Sequence, residues 1–257
     1  MISSDRRRAE SFGAHAARYD RSRPSYPAAL VEELMAARPR TVLDVGCGTG
    51  IAGRLFLRQG CQVLGVEPDA RMAAVARDHG LTVEIARFEG WEPAGRTFDL
   101  LVSGQAWHWV DPALGVRRAA SVLRPGGRLA VFWNSLTHHP DVLAVLEAAY
   151  LAHAPELISN NIALGTIPMP DCAGPNHDRE AIMASGRFGN PAWRRYPWQR
   201  TYTPAQWLDE LPTHSNHNSL APDRLAALLA ASAAGLAHLG AAFTVQYETK
   251  AIIARRR

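Results

Sequence analysis

The sequence predicts an α/β fold in which helices cover both faces of a mainly parallel sheet. Between Thr41 and Trp133, short apolar runs alternate with short helical segments. That alternation is typical of βαβ units, in which a helix joins two parallel strands. The composition agrees, because 257 residues with 47% hydrophobic and 20% charged side chains fit one large domain, or a domain with a modest insertion. Disordered, collagen-like and coiled-coil chains are excluded on the same grounds.

Each element is predicted from its apolar pattern and from the residues that bound it. Gly60 and Gly80 suit the ends of two helices, and Pro27 suits the first turn of another. The predicted strands are Thr41–Val45, Cys61–Val66, Leu81–Ala86, Phe98–Ser103, Arg128–Trp133, Pro191–Thr203 and Phe243–Ala254. The predicted helices are Ala28–Ala37, Ala52–Gln59, Ala70–His79, Ala113–Leu123, Asp141–His153, Ala181–Ser185, Pro204–Leu211 and Pro222–Leu239. Residues 155–180, rich in proline and asparagine, are predicted to form a loop, and a Rossmann-like domain is the simplest architecture.

The net charge of +4 comes from the two ends of the sequence. Arg6–Arg8 and Arg255–Arg257 supply six positive charges, so the remaining sequence holds 22 basic residues (28 − 6) and 24 acidic ones. A nucleic-acid-binding protein usually carries its basic excess on a structured face. We therefore interpret both arginine runs as solvated tails and expect no nucleic-acid partner.

Cysteine usage and hydropathy indicate a cytoplasmic protein. Cys47, Cys61 and Cys172 form no CxxC motif, which argues against a disulfide framework and against a zinc site. No apolar run approaches the roughly 18–20 residues of a membrane helix, so no membrane partner is expected. Residues 1–10 carry charges and no apolar core, and are not predicted to be a secretory signal.

The strongest local signal is the segment DVGCGTG, residues 44–50, between the first strand and the next helix. Glycines allow a tight turn and a close approach to a ligand, and the following helix presents N–H groups. The overlapping residues 48–53 also match GxGxxG, the dinucleotide fingerprint, and Glu67 lies about 20 residues further on, where such a fold has its ribose-binding acid. The glycines alone leave a methyl donor and a dinucleotide as alternatives.

Asp44 favours the methyl donor. A carboxylate beside this loop would oppose the pyrophosphate of a dinucleotide by about 1–4 kcal/mol. S-adenosylmethionine has no phosphate and carries an ammonium and a sulfonium, both of which an acid at the strand end attracts. A purely structural role, in which Asp44 caps the glycine turn, is a further interpretation. Glu67 is predicted to bind ribose hydroxyls, and Asp69 to cap the next helix.

Four segments, in this order, resemble the class I S-adenosylmethionine-dependent methyltransferases. They are DVGCGTG (44–50), GVEPDARM (65–72), FDLLVSGQAWHWVD (98–111) and VLRPGGRLAVFWN (122–134), which together span about residues 41–134. The likeness is closest to the small-molecule branch related to trans-aconitate and quinone-ring methyltransferases. Variants of YDRSRPSYP (19–27) and WLDELPTHSNHNSL (207–220) are found there. The resemblance implies S-adenosylmethionine as cofactor and a small molecule as methyl acceptor.

The resemblance also implies the arrangement of the chain. A Rossmann-like, doubly wound seven-stranded sheet is expected, with strand order 3-2-1-4-5-7-6 and an antiparallel last strand. A helical N-terminal cover precedes the sheet, and an insertion precedes its last two strands. Residues 1–257 then form a single domain, composed of the cover (1–40), the donor-binding core (41–134), a substrate-shaping insertion (135–190) and the C-terminal part of the sheet (191–257).

Matching positions imply the donor-binding residues. The donor's methionine and ribose are expected against Asp44, Gly46, Cys47, Gly48 and Gly50, with Glu67 on the ribose hydroxyls and Pro68 against the adenine. Phe88 and Glu89 replace the small–acid pair that usually flanks the adenine, and Phe88 either stacks on the ring or belongs to the core. Gln105 and Ala106 are expected at the crevice edge of the sheet, and Tyr19, Arg23 and Tyr26 in a segment that closes over donor and substrate.

The implied reaction is a direct displacement on an activated methyl group, so positioning is the main task of the protein. His108 is the candidate general base, since its ordinary pKa near 6.5 suits neutral pH, and a structural role in the loop is the alternative. Candidate substrate-binding residues are Tyr26, Trp107, Trp109, His214 and His217. The HxxH pair lacks the further ligands of a metal site, so no metal is predicted.

Several remaining aromatic and histidine side chains have open roles. Trp193, Trp198 and Trp207 either floor a flat substrate site or pack the insertion against the sheet, and His138-His139 is predicted to lie in a solvated loop. Two other functions stay open at this point. One is an NAD(P)-binding oxidoreductase that uses the same glycine loop, and the other is a non-catalytic scaffold with a methyltransferase-like fold.

Overall fold

The computed structural model describes residues 12–159, 161–166 and 175–257. The predictions for Arg6–Arg8 and Cys172 lie outside these residues. No helix in the described ranges is long and apolar enough to cross a membrane.

A seven-stranded sheet is the framework of the molecule. Its strands are β1 (Thr41–Val45), β2 (Gln62–Glu67), β3 (Thr82–Ile85), β4 (Phe98–Gly104), β5 (Leu123–Thr137), β6 (Ala192–Tyr202) and β7 (Phe243–Arg255). Their order is β3-β2-β1-β4-β5-β7-β6. The strands from β3 to β5 pair in parallel, whereas β7 is antiparallel to both of its neighbours. The predicted fold class, strand order and reversed last strand are confirmed.

Helices cover both faces of this sheet. They are α1 (Ala16–Ser22), α2 (Ala28–Met35), α3 (Gly53–Leu57), α4 (Ala70–Asp78), α5 (Pro112–Val122), α6 (Pro140–His153), α7 (Pro175–Ala184), α8 (Pro204–Glu210) and α9 (Pro222–Ala237). Successive side chains of β1 point to opposite faces, so Leu43 packs with α5 and α7 while Val42 packs with α2, α3 and α4. A third core lies where α6, α8 and α9 pack on the ends of β5, β6 and β7, and it contains Tyr150 and Trp207.

Two segments differ from the sequence prediction. β5 continues to Thr137 because it pairs with β7 from Arg128 as far as Thr137, so the polar residues after Trp133 stay in the ladder. The predicted loop 155–180 contains the start of α7, which begins at Pro175. Proline is favoured in the first helical turn, where its missing N–H has no partner to lose.

The arginines at positions 255–257 are not a solvated tail, which corrects the sequence interpretation. Arg255 lies in β7, and the Arg256 backbone forms a bridge with Phe188. The Arg256 N–H donates to the Gly127 carbonyl at 2.8 Å, and its guanidinium donates to the Leu123 carbonyl. The end of β7 is therefore fixed against the turn that precedes β5.

Candidate active site

The glycine loop leaves β1 at the carboxyl edge of the sheet. Gly46, Gly48 and Gly50 have φ angles of 64°, 55° and 86°, a region that side-chain-bearing residues rarely adopt. Gly46 also meets the loop after β4, because a Cβ built on it would lie 2.5 Å from the Cβ of Ala106. Two neighbouring strand ends thus approach each other closely and form one crevice.

Most amides of this loop are already engaged within the protein. The Gly46 N–H donates to the Val66 carbonyl at 2.8 Å, and the Gly50 N–H donates to the Cys47 carbonyl at 2.8 Å. The Gly48 N–H donates to the Glu67 carboxylate at 2.9 Å. A diphosphate-binding loop presents such N–H groups to its ligand instead. The loop is therefore a close-packed turn and not an anion cradle.

Glu67 ends β2 directly opposite this turn. Its second oxygen accepts from the Asp69 N–H at 2.9 Å, so the carboxylate holds two loops together. Burial raises its pKa above the ordinary value. Since each carboxylate oxygen accepts more than one hydrogen bond, Glu67 can accept further hydrogen bonds. The neighbouring Pro68 is exposed, and Asp69 caps α4 by accepting from the Arg71 N–H, which confirms that prediction.

Asp44 lies inside the protein rather than at the crevice surface. It is fully buried, and neither of its oxygens has an aligned hydrogen-bond donor among the described residues. One oxygen lies beside Gly53, where a built Cβ would approach it to 2.8 Å. Burial raises the pKa of Asp44 to about 7, with Glu67 adding to the rise and the Gly53 amide opposing it. Any influence on a donor is therefore electrostatic, and the position fits the alternative of an acid that supports the turn. Cys47, also buried, packs against Gly65 of β2.

The segment after α1 closes over the strand ends. Ion pairs fix α1 in place, since Asp20 binds Arg54 at 2.6 Å and Asp209 binds Arg21 at 2.9 Å. Beyond α1, the Tyr26 ring packs edge-on against Phe132 with centroids 4.7 Å apart. A Cβ built on Gly104 would lie 2.5 Å from the Tyr26 hydroxyl oxygen, so the ring rests directly on the end of β4.

The turn after β4 is strained. Gln105 has a φ of 57°, a left-handed conformation that costs a non-glycine residue about 1–2 kcal/mol. Two hydrogen bonds from Gln105 hold the turn. The Gln105 backbone N–H donates to the Phe132 carbonyl at 2.9 Å, and its side-chain amide donates to the Asn134 carbonyl. Strain that surrounding contacts enforce is frequent at functional sites.

Arg23 forms one wall of this region. Its guanidinium contacts both ring nitrogens of His214, at 2.9 and 3.1 Å, and lies 3.9 Å from the Glu210 carboxylate. It also lies over the Tyr19 ring, 5.2 Å from the centroid. Burial and the adjacent guanidinium lower the pKa of His214 well below its ordinary value. The imidazole is thus neutral, and it lies between Arg23 and the Glu210 carboxylate, which is 3.6 Å from its Nε2.

The aromatic loop that follows β4 divides between core and surface. Trp107 is completely buried in the core with Phe88, their ring centroids 6.2 Å apart. The predicted contact between Trp107 and the substrate is therefore wrong, because the side chain is completely buried. Of the two roles predicted for Phe88, packing in the core agrees with the structure and stacking on the adenine does not. Glu89 accepts from the Asp111 N–H at 3.0 Å and so anchors the end of the same loop. Trp109 is half-buried beside His108, their rings 4.7 Å apart.

His108 is exposed and oriented by a neighbour. The Trp133 indole N–H donates to its Nδ1 at 3.3 Å. A neutral imidazole whose Nδ1 accepts a hydrogen bond carries its proton on Nε2. In this arrangement Nε2 is a donor, which does not suit the base role predicted from the sequence.

Two histidines lie elsewhere than predicted. His217 is completely buried in the third core, where its Nε2 accepts from the Tyr150 hydroxyl at 2.5 Å and burial lowers its pKa to about 3. It cannot contact an acceptor. His138 is buried and bonds the Ala163 carbonyl at 2.8 Å, so it does not lie in a solvated loop. No group of three or more potential metal ligands occurs in the described part of the chain.

The tryptophans of the C-terminal half serve packing. Trp207 is completely buried in the third core. Trp193 packs against the core that contains Leu43, α5 and α7. Trp198 stacks on Tyr247 with centroids 4.5 Å apart and donates from its indole N–H to Thr249 at 2.9 Å.

Sequence reasoning missed two residues of this region. Asn134 follows the apolar part of β5, and its side chain donates to the Ser25 carbonyl at 3.0 Å and accepts from Thr249 at 2.6 Å. It therefore ties the covering segment to the sheet. Glu210 is the buried carboxylate near Arg23, and it accepts from the Tyr202 hydroxyl at 2.8 Å. Each is a polar residue in or beside an apolar run. A polar side chain in that position is expected to be buried and hydrogen-bonded, and this pattern could have identified both residues from the sequence.

Sequence comparison supports a methyltransferase. Residues 43–131 match a family model described as a methyltransferase domain. The chain is 39% identical over 138 residues to the uncharacterized methyltransferase Rv3342 of Mycobacterium tuberculosis, a match that covers 52% of this chain and 56% of that protein. It is 29% identical over 152 residues to a ubiquinone biosynthesis O-methyltransferase of Rhizobium johnstonii, covering 56% and 58%. The chain thus spans less than two thirds of the length of the curated relatives it matches.

Solved structures resemble the whole fold. A protein of Anaeromyxobacter dehalogenans that is provisionally assigned to the type II methyltransferases aligns with a TM-score of 0.61 at 24% identity, over 91% of this chain and 97% of that one. Phosphoethanolamine N-methyltransferase 2 of Haemonchus contortus, in complex with S-adenosyl-L-methionine, aligns with a TM-score of 0.51 at 16% identity, over 93% and 56%. At these identities the likeness concerns the fold alone.

Proposed function

Because the chain belongs to the class I S-adenosylmethionine-dependent methyltransferases, we propose that it transfers a methyl group from S-adenosylmethionine to a small-molecule acceptor. The observation that carries this proposal is the state of the glycine loop. Most of its amides donate to acceptors within the protein, and one of them donates to the carboxylate of Glu67. A pyrophosphate would find few free N–H groups here and an adjacent negative charge, whereas a cationic nucleoside meets no such opposition.

The sheet order supports the same choice. A dinucleotide-binding sheet commonly has the order 3-2-1-4-5-6 with parallel strands. Here the antiparallel β7 lies between β5 and β6. An NAD(P)-dependent oxidoreductase is therefore the less favoured function.

The residues at the crevice fit a donor of this chemistry. In the proposal, the backbone at Gly46, Gly48 and Gly50 faces the methionine part, Glu67 accepts from the ribose hydroxyls, and Pro68 lies along the adenine. Arg23 binds the donor carboxylate. Gln105 and Ala106 line the opposite side.

The donor supplies a methyl group already activated on a sulfonium, so no metal and no covalent enzyme intermediate are required. What the protein adds is the alignment of the acceptor and the exclusion of water, effects that contribute several kcal/mol and up to about 7–11 kcal/mol in favourable cases. Tyr26 over the end of β4 serves this purpose, and so does Asn134 of β5, which donates to the Ser25 carbonyl of the covering segment. His108 contributes as a hydrogen-bond donor, since Trp133 occupies its Nδ1.

The acceptor site is proposed from the arrangement of the chain. Residues 1–40 act as the cover, 41–134 as the donor-binding core and 135–190 as the insertion that shapes the acceptor site, while 191–257 complete the sheet. Tyr26, Trp109 and the Arg23–His214 wall are its proposed side chains. The relative named for O-methylation in ubiquinone biosynthesis supports a small-molecule acceptor. We place the reaction in the cytoplasm.

The test is a methyl-transfer assay with donor labelled in its methyl group. Purified protein is incubated with this donor and a small-molecule extract, and labelled products are separated by chromatography and identified by mass spectrometry. Enzyme-dependent labelling of a small molecule, with equal release of S-adenosylhomocysteine, is the expected result. Labelling confined to protein or nucleic acid would contradict the acceptor class, and no transfer at all would contradict the activity.

A further inference from the structure

We propose that the amino edge of the sheet carries a second binding site, for an anion with two or more linked phosphate groups. A cleft of about 550 Å³ lies there, lined by Ala37, Pro39, Asp99, Arg124, Pro125, Gly126, Arg128 and Arg255. Cavities of roughly 300–1,000 Å³ hold small-molecule ligands. Asp99 stands near the start of β4, so the cleft is at the opposite edge of the sheet from the glycine loop.

The cleft has a surplus of fixed positive charge. Arg124 forms an ion pair with Asp99 at 2.8 Å, and Asp99 is the one acid that lines the described cleft. Neither Arg128 nor Arg255 has a carboxylate within ion-pair distance in the described residues. Each is held instead by a carbonyl, Arg128 by that of Glu33 at 3.2 Å and Arg255 by that of Gly126 at 3.2 Å. A carbonyl orients a guanidinium without neutralising it.

The positive surface continues past this cleft. A second depression, of about 370 Å³, is lined by Gly126, Gly189, Arg255, Arg256 and Arg257. Its backbone is fixed, because the Gly189 N–H donates to the Arg255 carbonyl at 2.8 Å and the Arg257 N–H to the Arg187 carbonyl at 3.0 Å. Arginines on a rigid strand end are preorganised, which reduces the entropy lost on binding.

The side chains around the two depressions indicate which anion they suit. Guanidinium groups match phosphate oxygens with two parallel hydrogen bonds. No aromatic side chain lines either depression in the described chain. Proteins that bind single-stranded nucleic acids add aromatic rings on which bases stack. The surface therefore suits a row of phosphate charges, as in inorganic triphosphate or the triphosphate of a nucleotide, better than a single-stranded nucleic acid.

The experiment measures binding of inorganic tripolyphosphate to the full chain by calorimetry at low salt. The test variant is Arg128→Gln/Arg255→Gln, and the matched control is Arg194→Gln/Arg195→Gln. The control removes the same charge from the exposed surface of β6, where Glu33 and Glu248 pair with these arginines. We expect about tenfold or greater weakening in the test variant, and a change of less than about threefold in the control.

Further arms separate the ligand sources and control for folding. ATP is expected to bind about as tightly as tripolyphosphate, and a single-stranded oligonucleotide of equal charge more weakly. If the test variant unfolds, Arg128→Lys/Arg255→Lys replaces it and is expected to weaken binding to an intermediate extent. S-adenosylhomocysteine affinity should stay unchanged in every variant. No binding to the wild type, equal loss in test and control, or tighter binding of the oligonucleotide would each overturn the proposal.

Discussion

The backbone N–H of Gly48 donates to the side-chain carboxylate of Glu67 at 2.9 Å, and this bond joins the loop after β1 to the end of β2. It has two effects. It occupies the amide that a diphosphate would otherwise bind, and it fixes the acid that is proposed to hold the ribose. This bond therefore helps to fix the conformation of the loop, and it places a carboxylate where an anionic ligand would be repelled.

Replacing Glu67 by glutamine tests this relationship. The glutamine side chain has one carbonyl oxygen where Glu67 accepts from both Gly48 and Asp69, so one amide loses its acceptor. Hydrogen bonds to charged groups contribute about 1.5–3 kcal/mol, which corresponds to roughly 10–150-fold in affinity. We expect S-adenosylhomocysteine binding, measured by calorimetry, to weaken by that factor.

The matched control is Glu84→Gln on β3. Glu84 is a half-exposed carboxylate that pairs with Arg96, away from the loop. We expect its donor affinity to equal that of the wild type. Equal affinities in Glu67→Gln and Glu84→Gln would show that the Glu67 carboxylate contributes nothing to the donor site.

Asp44 predicts a pH dependence of stability. Its pKa is raised from 3.8 to about 7 in the folded protein, so between these values the folded state retains a proton that the unfolded chain releases. Stability from this group therefore falls as the pH rises from about 4 to about 7, and is constant above. Asp44→Asn removes the effect. The melting temperature of Asp44→Asn relative to wild type is expected to rise by more than about 4 °C between about pH 5 and pH 8.

The wild-type protein is the reference at each pH. All other groups titrate in both proteins, so their effects cancel in the difference between the two melting temperatures. Circular dichroism at several pH values gives the two melting curves. A constant difference between the two proteins across this range would contradict the raised pKa of Asp44.

Substitutions of His108 distinguish a hydrogen-bond donor from a general base. Asparagine keeps a side-chain N–H but cannot take up a proton, and phenylalanine keeps neither property. Loss of a base lowers kcat by about 10²–10⁴-fold. Since Trp133 holds Nδ1, we expect kcat of His108→Asn to stay within about tenfold of wild type and that of His108→Phe to fall further. An equal collapse of both variants, with altered pH profiles, would assign the base role to His108.

Gly104 tests the closure of the covering segment. A Cβ at this position would lie 2.5 Å from the Tyr26 hydroxyl oxygen and 2.8 Å from Phe132. Gly104→Ala therefore displaces Tyr26 and is expected to reduce the free energy of unfolding by about 1–3 kcal/mol, with a raised KM for the acceptor. Gly90→Ala is the control, because a Cβ built there meets nothing within 4 Å. Equal denaturant midpoints for the two variants would contradict the close contact.

The sheet and the position of the glycine loop after β1 are the parts that the sequence predicts well. β1 and the glycine loop are adjacent in sequence, and Glu67 ends the next strand along the chain, so their pattern determines their geometry with little help from distant residues. The capping role of Asp69 is likewise local, since its side chain accepts from an amide two residues away. Local hydrogen bonds of this kind are what sequence patterns record.

The acceptor side could not be predicted in this way. Trp107 and His108 are neighbours in sequence, yet the first is buried beneath α5 against Gly115 and the second is exposed. Which of them faces the crevice depends on packing against residues distant in sequence. His217 is similarly predicted from the sequence to bind the substrate. In the structure, its side chain is hydrogen-bonded to Tyr150, 67 positions away. The fixed position of Arg256 depends on Gly127 and Leu123, more than a hundred residues earlier.

The most direct test of the central claim is a paired titration of the wild-type protein by calorimetry, with S-adenosylhomocysteine in one series and NADH in the other. The account predicts stoichiometric binding of S-adenosylhomocysteine and no detectable binding of NADH, because most of the loop amides are engaged and Glu67 lies beside them. Tight binding of NADH without binding of S-adenosylhomocysteine would contradict the account.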